Sequence, residues 1–402
     1  MSVDWDRVSI SSIAEVARGG SPRPIKNFIT DSPDGVSWIK IGDTEKGGRY
    51  IDSTSEKIRR EGIKGSRWVE EGDFLLSNSM SFGRPYILRI SGCIHDGWLV
   101  LKPDYSRLDQ AFLYYVLSSP NTFRQFDSLA AGSTVRNLNI DLVSGVMIPL
   151  PPLDEQKRIV AVLDQAFAAL DRARAHVEAN LADAEGLLEN ALDEVFRDLA
   201  SSSPVVRLED AVHPECKLSY GIVQPGDLVQ GGLPIVRPVD LKQRVITLAG
   251  LKSIAPELAD GYARTKLFGG ELLLCVRGST GEISIAAPEL AGGNVTRGIV
   301  PIRFEMDKVL PEFAYFQFLS RYARDQIAAK TYGAALMQIN IKDLRQLNFV
   351  LPHISLQSDI VVRAEELYER AKKLKAAYVQ KLADLANLRQ SLLQKAFSGE
   401  LT

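Results

Sequence analysis

Three short polar segments recur at matching places in the two halves of this chain. Lys40 stands three residues before Asp43, as Arg237 stands three before Asp240. Ser77-Asn78-Ser79 leads on to Arg84, and its counterpart is Arg277-Gly278-Ser279-Thr280. Gly132-Ser133-Thr134-Val135-Arg136-Asn137 is answered by Gly333-Ala334-Ala335-Leu336-Met337-Gln338, with Asn340 just beyond. Arg, Lys, Asn, Gln, Ser and Thr on exposed loops can reach base edges through forked or short polar hydrogen bonds. On a chain that binds nucleic acid, the candidate contacts would be Lys40, Asn78, Ser79, Arg84, Ser133, Thr134, Arg136 and Asn137 in the first half. In the second they are Arg237, Arg277, Ser279, Thr280, Gln338 and Asn340. The Gly132 segment is the best of the three in the first half, because polar groups and an arginine follow a turn glycine. Its second-half counterpart is mostly apolar, so Gln338 and Asn340 carry less weight. The plainer roles are capping and turn formation, since Ser or Thr after Gly often caps the next helix. Asp43 and Asp240 each follow a strand and are read as ordering their own loops. Trp38, Trp68 and Trp98 are read as core.

Other chemistries lack their residues. The four histidines are scattered, with no HExxH, no CxxC and no Cys/His cluster at zinc-ligand spacing. No GxxxxGK[ST] phosphate loop occurs, and neither Gly19-Gly20-Ser21-Pro22 nor Gly292-Gly293-Asn294 leads into a helix as a dinucleotide turn would. Asp227 followed by Asp240-Leu241-Lys242 imitates a metal-dependent nuclease, but Lys242 aligns with Glu45 of the first half, so it is not part of the duplicated pattern. No nucleophile–base pair can be assembled. The expectation is a chain that is not an enzyme by itself and holds no cofactor or metal.

The elements that must position these loops come from a tandem duplication. Shifting the chain by 201 residues superposes Asn139-Ile140 on Asn340-Ile341, Leu150-Pro151 on Leu351-Pro352 and Gln156 on Gln357. The same shift matches Leu181-Ala182-Asp183 with Leu382-Ala383-Asp384 and Phe196 with Phe397, while upstream the offset drifts to 197–198. The matches continue through loops and a proline hinge, where helical periodicity contributes nothing. Each half begins with short β-type runs bounded by turn residues, such as Trp38–Ile41 and Ile299–Ile302, and contains one helix, over 109–125 and 311–328. A long helix follows each hinge. In the first, Ile159, Leu163, Ala166, Leu170, Ala173 and Val177 alternate steps of four and three, a coiled-coil seam. In the second, Leu367, Ala371, Leu374 and Tyr378 do the same, and both seams then step by four, to Leu181 and to Leu382. A helix over 154–200 would extend about 70 Å and must bury its stripe on a partner, for which the other long helix is the nearest candidate. Residues 154–200 hold 5 basic and 11 acidic groups, net −6, and 352–402 hold 8 and 6, net +2, which suits mutual pairing.

The expected fold class is α+β, with domains 1–150 and 204–351 alternating with long helices in 151–203 and 352–402 that form an antiparallel coiled coil with pseudo-twofold symmetry. The 402 residues are 45% hydrophobic and 24% charged, an ordinary soluble composition. Three separated cysteines make no disulfide framework, the start MSVDWDRVSISS has no signal-peptide core, and charges interrupt every apolar run, so a cytoplasmic protein without a membrane span is expected. The net charge of −2 argues against bulk coating of nucleic acid, not against reading it through local patches.

With LPPLDEQKRIVAVLDQAF at the centre and LLQKAFSGELT at the end, the chain resembles the DNA-specificity subunits of type I restriction–modification enzymes. The second hinge departs from the pattern, reading LPHISLQSDIV, so Asp154, Glu155 and Lys157 lack counterparts there. The first helix likewise ends on EVFRDLAS, only partly matching KAFSGELT. The resemblance implies two target-recognition domains, each reading half of a split, asymmetric site on double-stranded DNA. It also implies two modification subunits that carry S-adenosylmethionine and methylate adenine, and restriction subunits that use ATP and Mg2+. The competing expectation is a coiled-coil scaffold whose domains bind other proteins.

Overall fold

The computed structural model describes residues 5–45, 48–78, 83–130, 137–333 and 337–400. The chain divides into two compact units, Met1–Val177 with Gln380–Thr402, and Glu178–Val379. Each unit holds one strand-rich domain and a part of each long helix. The sequence suggests cuts at the helix ends; packing instead divides the chain across the helices, because different parts of each helix bury their apolar stripes on different domains.

Apolar runs without polar alternation make the central strands, and the pleat explains why. Successive side chains on a strand point to opposite faces. In the first unit Phe74, Leu76, Leu99 and Leu101 face a core shared with helix Gln110–Leu117 and the long helices. Their neighbours Leu75, Trp98 and Val100 face a second core with Ile39, Val69 and Ile94. Both faces are dry, so both sets are apolar. The first sheet runs in the order Ala14–Arg18, Trp98–Pro103, Phe74–Ser77, Pro85–Leu88 and Tyr50–Ile51. The second runs Ile29–Thr30, Glu56–Ile58, Val36–Ile39, Gly92–Ile94 and Arg67–Val69. In the second unit Leu272, Leu274, Val300 and Ile302 likewise face the helices, while Leu273, Cys275 and Ile299 face a separate core.

Two expectations change. Trp38 and Trp98 are core, but Trp68 is 41% exposed, because Arg67–Val69 is an edge strand paired only with Gly92–Ile94. The single helix expected over 109–125 is two, Gln110–Leu117 and Pro120–Ala130, since Pro120 cannot continue a helix but can begin one. The equivalent pair is Pro311–Leu319 and Arg321–Ala329, broken at Ser320 with ψ 154°.

The long helices span Leu153–Ser202 and Ile354–Phe397. At each hinge a fully buried glutamine ties helix to domain. Gln156 accepts from Asp109 N at 2.8 Å and donates to Arg107 O and Pro151 O. Gln357 accepts from Leu310 N at 3.0 Å and donates to Lys308 O and Pro352 O. Within the first unit Ile159, Leu163 and Phe167 share a core with Leu393, Ala396 and Phe397, and Asp171 pairs with Arg389 at 2.8 Å. Within the second, Leu192, Phe196 and Leu199 share a core with Ile360 and Ala364, and Glu185 pairs with Lys375 at 2.6 Å. In both, rising numbers on one helix meet falling numbers on the other, so the parts run antiparallel. Each fully buried Leu or Phe contributes about 1.5–3 kcal/mol. Seam residues further from the domains are less covered: Leu170, Ala173 and Val177 are half-buried, and Leu374 is 38% exposed.

Candidate nucleic-acid interface

In each unit a pair of parallel strands brings the candidate loops to one end of the domain. Ile39 lies opposite Ile94, and Val236 opposite Val295, so the turns that follow these strands emerge side by side. The first turn is Lys40–Asp43, where Asp43 accepts from Lys40 N at 2.8 Å and also from the Ser55 hydroxyl at 2.7 Å. The second turn is His95–Gly97. His95 turns both ring nitrogens toward backbone N–H groups, Ile41 N at 3.2 Å and Gly97 N at 2.8 Å. Burial, together with Lys40 nearby, outweighs Asp96 and Asp43 and holds the imidazole below its ordinary pKa. The Gly19-Gly20-Ser21 loop closes over the turn, and a Cβ on Gly19 would stand 2.1 Å from His95 O, so only glycine fits. Ser21 donates to Asp96 at 3.0 Å, and Arg23 faces the same carboxylate at 3.5 Å. Despite partial burial, these contacts hold Asp96 below the usual carboxylate range.

The remaining segments join the same end. Asn78 N donates to Gly97 O at 3.1 Å, and Leu138 N donates to Asn78 O at 2.9 Å. The second unit repeats both bonds, Val276 N to Gly298 O at 2.8 Å and Ile339 N to Val276 O at 3.0 Å. There Gly278 N and the Thr280 hydroxyl both donate to Met337 O, and Gln338 exchanges backbone bonds with Tyr332. The Tyr220 hydroxyl donates to Ile339 O at 3.3 Å.

The individual candidates divide. Asn78 is 1% exposed and donates to Asp96 O at 2.9 Å, so its side chain holds two loops together. Asn340 caps helix Ile341–Arg345 by accepting from Asp343 N at 2.8 Å. Arg237 is locked on Asp240 by contacts of 3.0 and 2.7 Å, so it orders its own turn. Lys40 is paired with Glu56 at 2.5 Å. Arg84 is exposed beside a groove lined by Tyr114, Phe123, Arg174 and Gln390. Asn137 and Gln338 are half-buried, Arg277 is half-buried beside Gly278, and Ser279 is exposed. Ser79, Ser133, Thr134 and Arg136 lie outside the described residues.

Sequence reasoning missed Arg297. It occupies the position of Asp96, 201 residues on, so the internal alignment carried the signal as a reversed charge. Arg297 is exposed and makes no ion pair among the described residues. It adds positive potential, with Arg277, at the Tyr220 hydroxyl, and Tyr332 nearby is 47% exposed. Two arginines, two tyrosines and an amide thus gather on one tip. Among the described residues no cluster of His, Cys, Asp and Glu could hold a metal, and no helix is long and apolar enough to cross a membrane.

Residues 2–178 match the family model described as the type I restriction modification DNA specificity domain. The chain is 26% identical to the type I restriction enzyme EcoBI specificity subunit of Escherichia coli, over 99% of this chain and 86% of that one. It is 27% identical to the EcoKI specificity subunit of Escherichia coli strain K12, over 99% and 89%. Over nearly its whole length the chain is thus similar to specificity subunits of type I restriction enzymes, and its residues 2–178 carry the match to their DNA specificity domain. Its fold is that of a chain in a solved type I restriction–modification system, with a TM-score of 0.75, 20% identity and 98% of both chains covered. The two domains of this chain each carry a loop cluster at one end, held by the same backbone hydrogen bonds.

Proposed function

We propose that this chain selects the DNA site for a type I restriction–modification complex, each domain reading one half of a bipartite, asymmetric site on the duplex. The observation that supports this most is the pair of loop clusters. The same backbone bonds hold both, while the side chains they present differ, as a reader of two unlike half-sites requires. In the second domain Arg277, Arg297, Ser279, Thr280 and Gln338 read bases; arginine placed this way suits the two acceptors of guanine. In the first domain the readers are Arg84, Asn137 and the segments around Ser79 and Arg136, with Lys40 oriented by Glu56. The long helices set the unread gap and dock two modification subunits. Those subunits supply S-adenosylmethionine and adenine methylation, and restriction subunits supply ATP and Mg2+ chemistry, all acting in the cytoplasm. Partners also provide much of the phosphate grip, so a net charge of −2 is no obstacle.

Mapping methylated adenines across the source genome tests this. A split motif with a fixed gap is expected, and deleting four residues from the first long helix should change that gap. Methylation without any split motif, or an unchanged gap in the deletion variant, would overturn the reading or its ruler component respectively. A gel shift with the modification subunit against random duplexes separates the reading from a protein-binding scaffold, which would select no sequence.

A further inference from the structure

The two domains grip their long helices through the same aromatic pocket, but with the hydroxyl groups exchanged. In the first unit Arg49 lies over Tyr114 and Tyr115, 4.7 and 5.3 Å from the ring centres. The Tyr115 hydroxyl donates to Asp164 of the first long helix, and Phe167 packs edge-on against Tyr115 at 5.4 Å. In the second unit Arg244 lies over Tyr315 and Phe316, at 5.1 and 5.0 Å. Its guanidinium meets Glu365 of the second long helix through both arms. Tyr368 packs edge-on against Phe316, with its hydroxyl near that of Tyr315.

The equivalence is fixed by the backbone. Arg49 O accepts from Ile87 N at 2.9 Å, as Arg244 O accepts from Ile285 N at 2.7 Å. Tyr114 and Tyr315, Tyr115 and Phe316, Asp164 and Glu365, and Phe167 and Tyr368 all stand 201 residues apart. Where the domain has phenylalanine in place of tyrosine, the helix has tyrosine in place of phenylalanine. The carboxylate on the helix and the arginine on the domain are present in both copies. Burial alone requires none of this, because apolar contact is non-directional. A forked guanidinium–carboxylate pair, or a phenol on a carboxylate, also fixes an angle. The Arg244 and Glu365 side chains are 17% and 35% exposed, which limits solvent screening of the pair.

We infer that Tyr115–Asp164 and Arg244–Glu365 are positioning latches that fix the angle of each domain on its own long helix, and through it the gap the subunit accepts. This rests on the DNA reading proposed above. The four residues touch no base; they act through the loops they orient.

The test uses the full chain with its modification subunit. Binding is measured to the preferred duplex and to duplexes whose gap is one base pair longer or shorter. Tyr115→Phe and Glu365→Gln should each weaken discrimination between gaps by about fivefold or more, with a smaller loss at the preferred gap. Tyr115→Phe combined with Phe167→Tyr rebuilds the second unit's arrangement in the first and releases Asp164 to Arg49. It should restore discrimination to within about twofold of the parent. The inference is overturned if both single variants, with unshifted melting transitions, keep the parent's gap preference. It is equally overturned if they lose affinity uniformly at every gap and the double variant restores nothing, since that is a purely structural role. A parent chain that binds random duplexes as well as any site would sink the DNA reading itself, an outcome read before any variant is compared.

Discussion

The tips of the two domains share a backbone and differ in charge. The turn after the paired parallel strands carries His95 and Asp96 in the first domain, Thr296 and Arg297 in the second. In the first, Asp96 is satisfied from within by Ser21 and Arg23, and His95 is folded against its own turn. In the second, Arg297 projects beside Arg277 with no internal partner among the described residues. Asn78, which secures the first tip through its side chain, is replaced by Val276, yet the two backbone bonds at that position survive. The difference teaches that the loops are held by main-chain hydrogen bonds, which leaves their side chains able to diverge. A frame of that kind permits two unlike recognition surfaces on one duplicated fold.

The comparison breaks first if the shared frame is not equally important in both copies. Replacing Gln156 or Gln357 with Ala removes three hydrogen bonds to backbone each time, and the buried carbonyl of Pro151 or Pro352, left unsatisfied, costs about 1–3 kcal/mol. Denaturant titration should show large and similar losses for the two variants; a large loss in only one would mean that the hinges have separate roles. The tips should instead respond unequally. Arg297→Ala and Arg277→Ala should each cost about 1–3 kcal/mol of specific binding, or roughly 10- to 100-fold, confined to the half-site of the second domain. Affinity measured on duplexes mutated in one half at a time checks this, and a uniform loss over both halves would make these residues phosphate contacts.

A smaller effect separates the tips by pH. The folded-state pKa of His95 lies below its ordinary value of about 6.5, chiefly through burial, so the neutral ring stabilises the first domain above that pH. That contribution fades as pH falls through about 6.5 toward the folded value. The parent should lose thermal stability across this window, and His95→Gln should remove that part of the dependence; Thr296 gives the second domain no equivalent. The smallest effects belong to the exposed helix pairs Asp171–Arg389 and Glu185–Lys375, about 0.2–1 kcal/mol each and weaker at high salt. Double-mutant cycles at two salt concentrations measure both, and a salt-independent value would mean that the pairs are less solvated than their exposure indicates.

Much of the architecture was legible in the sequence because periodicity and repetition are local signals. The heptad steps marked the long helices, and the proline hinges marked where they begin. The 201-residue shift brought together equivalent residues that later proved to make equivalent bonds, including Gln156 with Gln357 and Asn139 with Asn340. The helix break at Pro120 is written in the residue itself, although apolar spacing continues across it. The loop cluster at the tip was only half legible. The three loop segments were identified as polar and recurrent, but Asn78, Arg237 and Asn340 look no different in sequence from side chains that face outward. Whether such a group points to solvent or satisfies a neighbouring carbonyl depends on what lies across the fold, and Asp96, Asp240 and Asp343 settle it here. Arg297 escaped because its first-half counterpart is Asp96, so the recurrence of like polar residues that marked the other loops was missing there.

By itself, then, the sequence determined the duplication, the alternation of strand-rich domains with long helices, and the resemblance to specificity subunits. Each of these is written in residue types at fixed spacings along one chain. Tertiary structure alone decided which loops meet, which polar side chains are spent on internal bonds, and which remain to face a ligand. It also decided that the compact units divide the long helices between them. Those outcomes depend on contacts between residues far apart in sequence, such as Tyr115 with Asp164 and Arg244 with Glu365, where burial and hydrogen-bond geometry select partners that spacing cannot announce.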